Sequence, residues 1–298
     1  MPLPDQDKAF LTEQFAAMDS AVKIDYFHQT PTSVEVPGRP PCLSCEATKE
    51  VLEELAGLSD QITLTTYELS DEEELAEKRG IKQAPGIVVR GEKNRPMRLT
   101  GMPGGVFLAL VMQAILSMGG QPLDPSGQIK STLKKLRNTT EVRVVGAMMD
   151  PATGDAAIAA LALALISDKV EVWVYNLDEF PALGANMNLS HVPATIVGGR
   201  HGFAGATTAP ELARYLYDLE AHPDRANLKP PTIETGSAHP WAPPEQQPPQ
   251  PQPPPGSGPP GPGSGPPGPG RGPGPQPPSG GAPAGMHRTG SGLIVPNS

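Results

Sequence analysis

The sequence predicts an α/β protein made of two tandem copies of one sandwich, followed by a Pro/Gly-rich tail that cannot form a core. Three observations predict this: strand patterns that recur at fixed offsets, a C-x-x-C pair in the first copy only, and the crowding of proline and glycine near the end. The predicted units are residues 1–120, residues 121–225, a disordered linker at 226–285 and a terminal segment at 286–298.

The repeat is visible when the sequence is laid over itself with an offset of 108 residues. Ile62–Leu69 then falls on Val170–Leu177, and both segments alternate apolar and polar residues as strands do. Ala84–Val89 falls on Val192–Val197 at the same offset. Agreement at two separate segments indicates a duplicated structural unit.

The opening strands match at an offset of 120, where Val22–Ile24 falls on Val142–Val144. The first copy therefore carries a longer loop, Gln29–Pro41, which we expect to form a flap over the site. A helix at Lys8–Met18 is expected to precede the first strand. The remaining segments predicted for the first copy alternate strand and helix and then form a hairpin and a last helix: Val22–Phe27, Leu43–Gly57, Ile62–Leu69, Glu72–Gly80, Gly86–Arg90, Met97–Thr100 and Val106–Met118.

The charge of the chain excludes some classes of function. The formal net charge is -9, and the tail after Pro230 contributes nothing to it. An acidic folded part argues against binding nucleic acid, which needs clustered Lys and Arg. No apolar run reaches the roughly 18 residues of a membrane span, and the first ten residues do not resemble a secretory leader. We therefore expect a soluble cytoplasmic protein.

Cys42 and Cys45 are the only cysteines, and they stand where a loop turns into a helix. Unpaired N–H groups and the helix dipole stabilise a thiolate there, so we expect Cys42 to be the attacking sulfur. Cys45, one turn on, can resolve a mixed disulfide. The alternative is half of a zinc site, but zinc needs four ligands and the sequence offers only His28 nearby. A metal or cluster site shared between chains stays open.

The C-x-x-C, the proline that follows Cys42 by 43 residues, and the duplication together resemble the thioredoxin superfamily over residues 8–222. Within it, the chain is similar to the tandem glutaredoxin-like protein disulfide oxidoreductases and to the N-terminal part of the alkyl hydroperoxide reductase flavoprotein. The resemblance implies two thioredoxin-like sandwiches, protein disulfide or thiol clients, a thioredoxin-reductase-like electron donor and no cofactor. It also implies that Pro85 follows a cis bond and forms the substrate-docking edge, an ordinary strand-start proline being the alternative.

Ile24-Asp25-Tyr26-Phe27 resembles the thioredoxin stretch whose carboxylate lies beneath the dithiol. By that resemblance, Asp25 moves the proton of Cys45. The second copy has Val145 at the matching position, which fits a role tied to the thiols. The alternative is a strand-edge aspartate that faces solvent or pairs with Lys23 or Arg39.

The second copy departs from the resemblance at its own site. Asp150 and Thr153 replace the two cysteines, and Asp150 precedes Pro193 by the 43 residues that separate Cys42 from Pro85. Neither side chain exchanges disulfides. We therefore expect a redox-inactive copy that serves in docking or covers the sheet of the first.

The tail holds 23 of the 39 prolines and 15 of the 33 glycines between Pro230 and Ser298, in no regular G-X-Y period. Leu293, Ile294 and Val295 restore an apolar cluster after this spacer. In layout, the tail resembles the cargo-loading peptides of encapsulin protein shells; a terminus without a role is the alternative. The sequence thus predicts a thiol-disulfide oxidoreductase, with a noncatalytic adaptor whose dithiol is vestigial as the rival reading.

Overall fold

The computed structural model confirms the predicted α/β class. It describes residues 3–30, 41–92, 96–121, 123, 127–222, 237–242, 286–288 and 294–296. Most of the loop predicted to form a flap, and most of the predicted spacer, lie outside the described residues. Among the described residues, no helix is long and apolar enough to cross a membrane.

The first repeat has the order of elements that the sequence predicts, with bounds that shift by a few residues at most. Its elements are α1 (Asp5–Ala16), β1 (Val22–His28), α2 (Cys45–Ala56), β2 (Ile62–Glu68), α3 (Glu73–Arg79), β3 (Gly86–Arg90), β4 (Met97–Thr100) and α4 (Val106–Met118).

The second repeat follows the same order, with one further short strand before its hairpin. Its elements are α5 (Gly127–Leu133), β5 (Thr140–Gly146), α6 (Pro151–Ile166), β6 (Val170–Asn176), α7 (Pro181–Asn186), β7 (His191–Val192), β8 (Ala194–Val197), β9 (His201–Ala204) and α8 (Ala209–Ala221).

The two repeats share one sheet of eight strands, in the order β2-β1-β3-β4-β6-β5-β8-β9. Within each repeat, a parallel βαβ pair continues into an antiparallel hairpin. The repeats meet where β4 pairs with β6 in parallel, with Met97 opposite Val172 and Thr100 opposite Tyr175. The two sandwiches are therefore joined by backbone hydrogen bonds as well as by side chains.

One continuous apolar core lies on the face of the sheet that carries α2, α4, α6 and α8. All thirteen residues of α4 are buried, and this helix packs against α6 of the other repeat. The opposite face has two smaller clusters. Phe27 and Ala76 belong to the cluster beneath α3, and Val145 and Leu177 belong to the one beside α7. Each repeat thus has its own small core on the face away from the shared one.

Local sequence explains where the elements begin and end. Burial alternates strictly along β6, as its alternation of apolar and polar residues predicts. Helix α3 ends at Gly80, whose φ of 78° lies in the left-handed region that glycine adopts readily. A capping box between Thr208 and Glu211 begins α8.

Among the described residues after the second repeat, three short strands are present. Strand β10 (His239–Pro240) pairs antiparallel with β7, within the range that composition predicted to be a spacer. Strands β11 (Met286–Arg288) and β12 (Ile294–Pro296) pair with each other, and the backbone of β12 lies against α4. Two described segments of the tail, β10 and β12, thus lie against the folded repeats.

Candidate functional site

Cys42 and Cys45 are joined by a disulfide, with their Cα atoms 5.5 Å apart. Cys45 is the first residue of α2 and is only 4% exposed, whereas Cys42 precedes the helix and is half-buried. Cys42 is therefore the more accessible of the two cysteines, and its role as the attacking sulfur stays a prediction. Leu43, beside it, is 93% exposed and presents an apolar surface next to the reactive bond.

Hydrogen bonds hold the buried cysteine from two sides. The backbone N–H of Gln29 lies 3.4 Å from the Cys45 Sγ, and the Tyr26 hydroxyl donates to the Cys45 carbonyl at 2.6 Å. Burial raises the pKa of Tyr26 above its usual range, and the carboxylates of Glu179, Glu46 and Glu68 raise it further. Tyr26 therefore keeps its proton and acts as a hydrogen-bond donor at neutral pH.

The second repeat contributes a carboxylate to this site. Glu179 lies between β6 and α7, and it accepts a hydrogen bond from the hydroxyl of Ser44, which stands inside the C-x-x-C motif. Its other oxygen accepts from the backbone N–H of Met102 at 2.6 Å. Asn176 supports the same loop by donating to the Met102 carbonyl at 3.3 Å. Glu179 thus links the redox motif to the junction between the repeats.

Glu179 cannot be recognised as part of this site from the sequence of either repeat alone. The position corresponds to Asp71 in the first repeat at the offset of 108, and nothing in its surroundings marks it as functional. The position of Glu179 becomes informative only once the strands of the two repeats are placed edge to edge, because β4–β6 pairing brings the loop after β6 beside the motif.

A groove of about 890 Å³ opens beside the disulfide. Cys42 and Leu43 line one side, and Gln83 and Ala84, directly before Pro85, line another. Among the described residues that line it, the charged ones are mostly acidic; they are Glu68, Glu73, Glu77, Glu179 and Lys82. The groove can therefore receive an extended segment alongside the reactive sulfur, in a negative field.

Pro85 lies at the edge that the resemblance marks for docking. The Ala84–Pro85 bond is cis, and the Pro85 carbonyl accepts a hydrogen bond from Gly101 at 2.8 Å. The second repeat has the same arrangement at Val192–Pro193, where Gly205 donates to the Pro193 carbonyl at 2.7 Å. The docking role of Pro85 itself stays a prediction.

Asp25 is buried and forms two ion pairs. Its carboxylate oxygens lie 2.7 Å from the Arg79 Nε and 2.7 Å from a terminal nitrogen of Arg90. Because side chains alternate along β1, Asp25 faces α3, whereas Tyr26 faces α2 and the dithiol. These partners differ from Lys23 and Arg39, the two that the sequence suggested. The proton-transfer role of Asp25 stays a prediction.

Asp150 occupies the place of Cys42 in the second repeat and has a structural task. Its carboxylate caps α6 by accepting from the backbone N–H groups of Ala152 and Thr153, both at 3.1 Å. The Thr153 hydroxyl donates to the same carboxylate at 2.7 Å. The second repeat thus has a helix cap at the positions that hold the dithiol in the first, and α6 begins directly after Asp150 whereas α2 begins only at Cys45. In the part of the chain that the structure describes, no group of three or more His, Cys, Asp or Glu residues is placed to hold a metal ion.

The class of fold that these features define is a pair of fused thioredoxin-like units. A mutant of the alkylhydroperoxide reductase AhpF from Enterococcus faecalis superposes with a TM-score of 0.63 at 20% identity, over 72% of this chain and 99% of that one. A protein disulfide oxidoreductase from Aeropyrum pernix superposes with a TM-score of 0.62 at 17% identity, over 76% of this chain and 97% of that one.

These likenesses confirm, at the level of the fold, the resemblance seen in the sequence. The NTD_N/C domain of the Enterococcus faecalis reductase agrees with them, with a TM-score of 0.61 at 19% identity, over 72% of this chain and all of that one. No protein-family model matches the chain, and no curated protein matches it by sequence.

Proposed function

We propose that this protein is a thiol-disulfide oxidoreductase acting through Cys42 and Cys45. One observation carries the proposal: the disulfide lies at the start of α2, with one sulfur open to a groove and the other buried. That asymmetry suits a pair in which one sulfur meets the client and the other resolves the product. The similar fold of a protein disulfide oxidoreductase supports the same class of chemistry.

The exchange transfers two electrons and balances without a cofactor. In the reducing direction, the Cys42 thiolate attacks one sulfur of a client disulfide, and the other client sulfur leaves as a thiolate and takes up a proton. Cys45 then loses its proton and attacks the Cys42 sulfur. The Cys42–Cys45 bond forms, the bond from Cys42 to the client breaks, and the second client thiolate leaves. A dithiol donor of the thioredoxin-reductase class then reduces the disulfide again.

The surroundings of the motif supply the positions that these steps need. The Gln29 N–H and the start of α2 stabilise negative charge on Cys45 when it attacks. We propose that Glu179, through Ser44, holds the turn of the motif and keeps a carboxylate beside it. Pro85 shapes the edge along which the client lies, and Asp25 is retained as a candidate for the proton of Cys45.

The acidic groove supports one statement about clients. Four glutamates and one lysine line it. Opposite charges across an interface favour encounter. We therefore propose clients in which basic residues flank the reactive disulfide or thiol.

Single substitutions of the two cysteines test the activity. The reduced protein is expected to reduce the disulfides of insulin. Cys42→Ser should abolish this, whereas Cys45→Ser should accumulate a mixed disulfide with its substrate, visible on a non-reducing gel. Full activity in both variants would refute the enzyme and favour the rival, a noncatalytic adaptor with a vestigial dithiol. The loss of both thiols at Asp150 and Thr153 is the observation that favours this rival.

A second proposal concerns where the tail localises the protein. We propose that residues 286–298 bring the protein to a partner surface, of which an encapsulin-type shell is the candidate that the sequence suggests. The apolar side chains of Leu293, Ile294 and Val295 support it, since a short apolar peptide on a long tether binds well where many sites line one surface. In the structure, the backbone of β12 lies on α4 of the same chain. The partner surface and α4 would therefore compete for one segment.

A further inference from the structure

A short segment of the tail lies along the second repeat at the edge that corresponds to the client edge of the first. Strand β10 pairs antiparallel with β7, with His239 opposite Val192 and Pro240 opposite His191. The Trp241 N–H continues the pairing by donating to the Ser190 carbonyl at 2.8 Å. Residues 190–192 directly precede Pro193, as residues 82–84 precede Pro85 at the offset of 108.

A pocket in the second repeat holds the indole of Trp241. The ring packs with the small cluster beside α7, to which Leu183 and Met187 also contribute. It lies directly over Gly184, where an added Cβ would stand 2.4 Å from the nearest ring carbon. A Cβ at this position would displace the ring, so the absence of a side chain at Gly184 makes room for the indole.

The first repeat differs at the same position. The offset of 108 places Ala76 where the second repeat has Gly184, and Ala76 is part of the groove beside the disulfide. A methyl group there narrows the space that an indole would need. This difference gives the tryptophan a reason to occupy the second groove rather than the first.

The segment also reaches the position that has lost its thiol. The Nε2 of His239 lies 3.7 Å from a carboxylate oxygen of Asp150, which stands where Cys42 stands in the first repeat. The segment therefore crosses its groove as a client would cross the other, with one side chain at the former thiol and one in the adjacent pocket.

We propose that the second repeat is a peptide-binding domain and that its ligand is the chain's own segment 237–242. Backbone pairing with β7 supplies binding that does not depend on the sequence of the peptide. The pocket over Gly184 selects an aromatic side chain, which stands two residues after the residue that faces Asp150. The 14 residues between 222 and 237 make the binding intramolecular, at an effective concentration that a short linker sets near the millimolar range. The groove that lost its redox chemistry thus anchors the start of the tail.

Gly184→Ala in the full chain tests the pocket. Alanine favours the helix, so the repeat should stay folded while the new methyl expels the ring. We expect acrylamide quenching of tryptophan fluorescence to increase and the emission to shift to longer wavelength, because one of the two tryptophans becomes exposed. Gly127→Ala is the matched control, since an added Cβ there meets nothing within 4 Å. Quenching unchanged from wild type in Gly184→Ala would overturn the proposal.

A peptide added in trans tests the binding itself. The probe is a fluorescein-labelled peptide of residues 235–244, titrated into the full-length Trp241→Ala variant and followed by anisotropy. We expect saturable binding, at least tenfold tighter than to the wild type, whose own segment competes. Adding Gly184→Ala to the Trp241→Ala variant should abolish it. Equal binding to the single and double variants, or no binding to either, would refute the proposal. Insulin reduction should be unchanged throughout, so this result is independent of the redox proposal.

Discussion

Glu179 of the second repeat accepts a hydrogen bond from Ser44, which stands between the two cysteines of the first. The repeat that has no thiols therefore completes the site of the repeat that has them. This contact depends on the pairing of β4 with β6, which brings the loop after β6 to the redox motif. Both repeats thus contribute groups to the surroundings of the Cys42–Cys45 disulfide.

Glu179→Gln should make the reduced dithiol more reactive at low pH. The amide still accepts a hydrogen bond from Ser44, but it removes a negative charge that disfavours a nearby thiolate. We expect the rate of alkylation of Cys42 at pH 6 to rise by about threefold, measured with iodoacetamide. Asp178→Asn is the matched control, because that neighbouring carboxylate binds the Met148 N–H instead. Identical pH profiles for the two variants would argue against a role for Glu179.

Asp25→Asn separates a structural role from proton transfer. Removing the charge leaves Arg79 and Arg90 without their shared partner, so we expect the free energy of unfolding to fall by about 3 kcal/mol in urea titrations. If Asp25 also takes the proton of Cys45, the resolving step should slow and its pH dependence should change. Stopped-flow measurement of the decay of the mixed disulfide distinguishes the cases. An unaltered pH profile would mean that Asp25 has only a structural role through its ion pairs.

Tyr26→Phe should destabilise the protein in a pH-dependent way. Loss of the hydrogen bond to the Cys45 carbonyl should cost about 1 kcal/mol at neutral pH. Burial raises the pKa of Tyr26 in the folded state above its usual value of 10, so its contribution is complete below pH 10 and is lost as the pH rises toward the folded-state pKa. The difference in stability between wild type and variant should therefore shrink above pH 10. A constant difference from pH 7 to 11 in urea titrations would contradict this account.

Asp150→Cys combined with Thr153→Cys should create a second disulfide. The two positions correspond to Cys42 and Cys45 at the offset of 108, and Asp150 already contacts Thr153 through its side chain. We expect mass spectrometry to show two disulfides in the oxidised variant. Loss of the Asp150 cap should cost about 1 kcal/mol of stability before the new bond forms. Two free thiols that resist oxidation at these positions would show that the repeats do not correspond at this turn.

Deletion of residues 286–298 should leave chemistry intact and change placement. We expect insulin reduction to be unchanged, because the C-x-x-C motif and its groove lie in the repeats. Pull-downs from native lysate, with full-length and truncated chains side by side, should lose a large partner. Identical partners for the two chains would mean that the segment only contacts α4 of its own chain. Its deletion should then show only as faster hydrogen exchange in α4.

Much of the fold was predictable because the duplication shows each strand pattern in two places. Val170–Asn176 shows the clearest alternation, and burial follows it residue by residue. Cys42 and Cys45 were predictable because their spacing and their place at a helix start are local features. Glu179 and the arginines around Asp25 were not, since they meet only through pairing between distant strands. Trp241 was hidden by composition, because the prolines and glycines around it indicate a spacer.

Strands β4 and β6 lie at the inner edges of their repeats, and each covers the edge of the other by parallel pairing. A repeat separated from its neighbour would present an unpaired row of N–H and C=O groups, which invites aggregation. The second copy therefore covers the β4 edge of the first repeat whether or not it carries thiols.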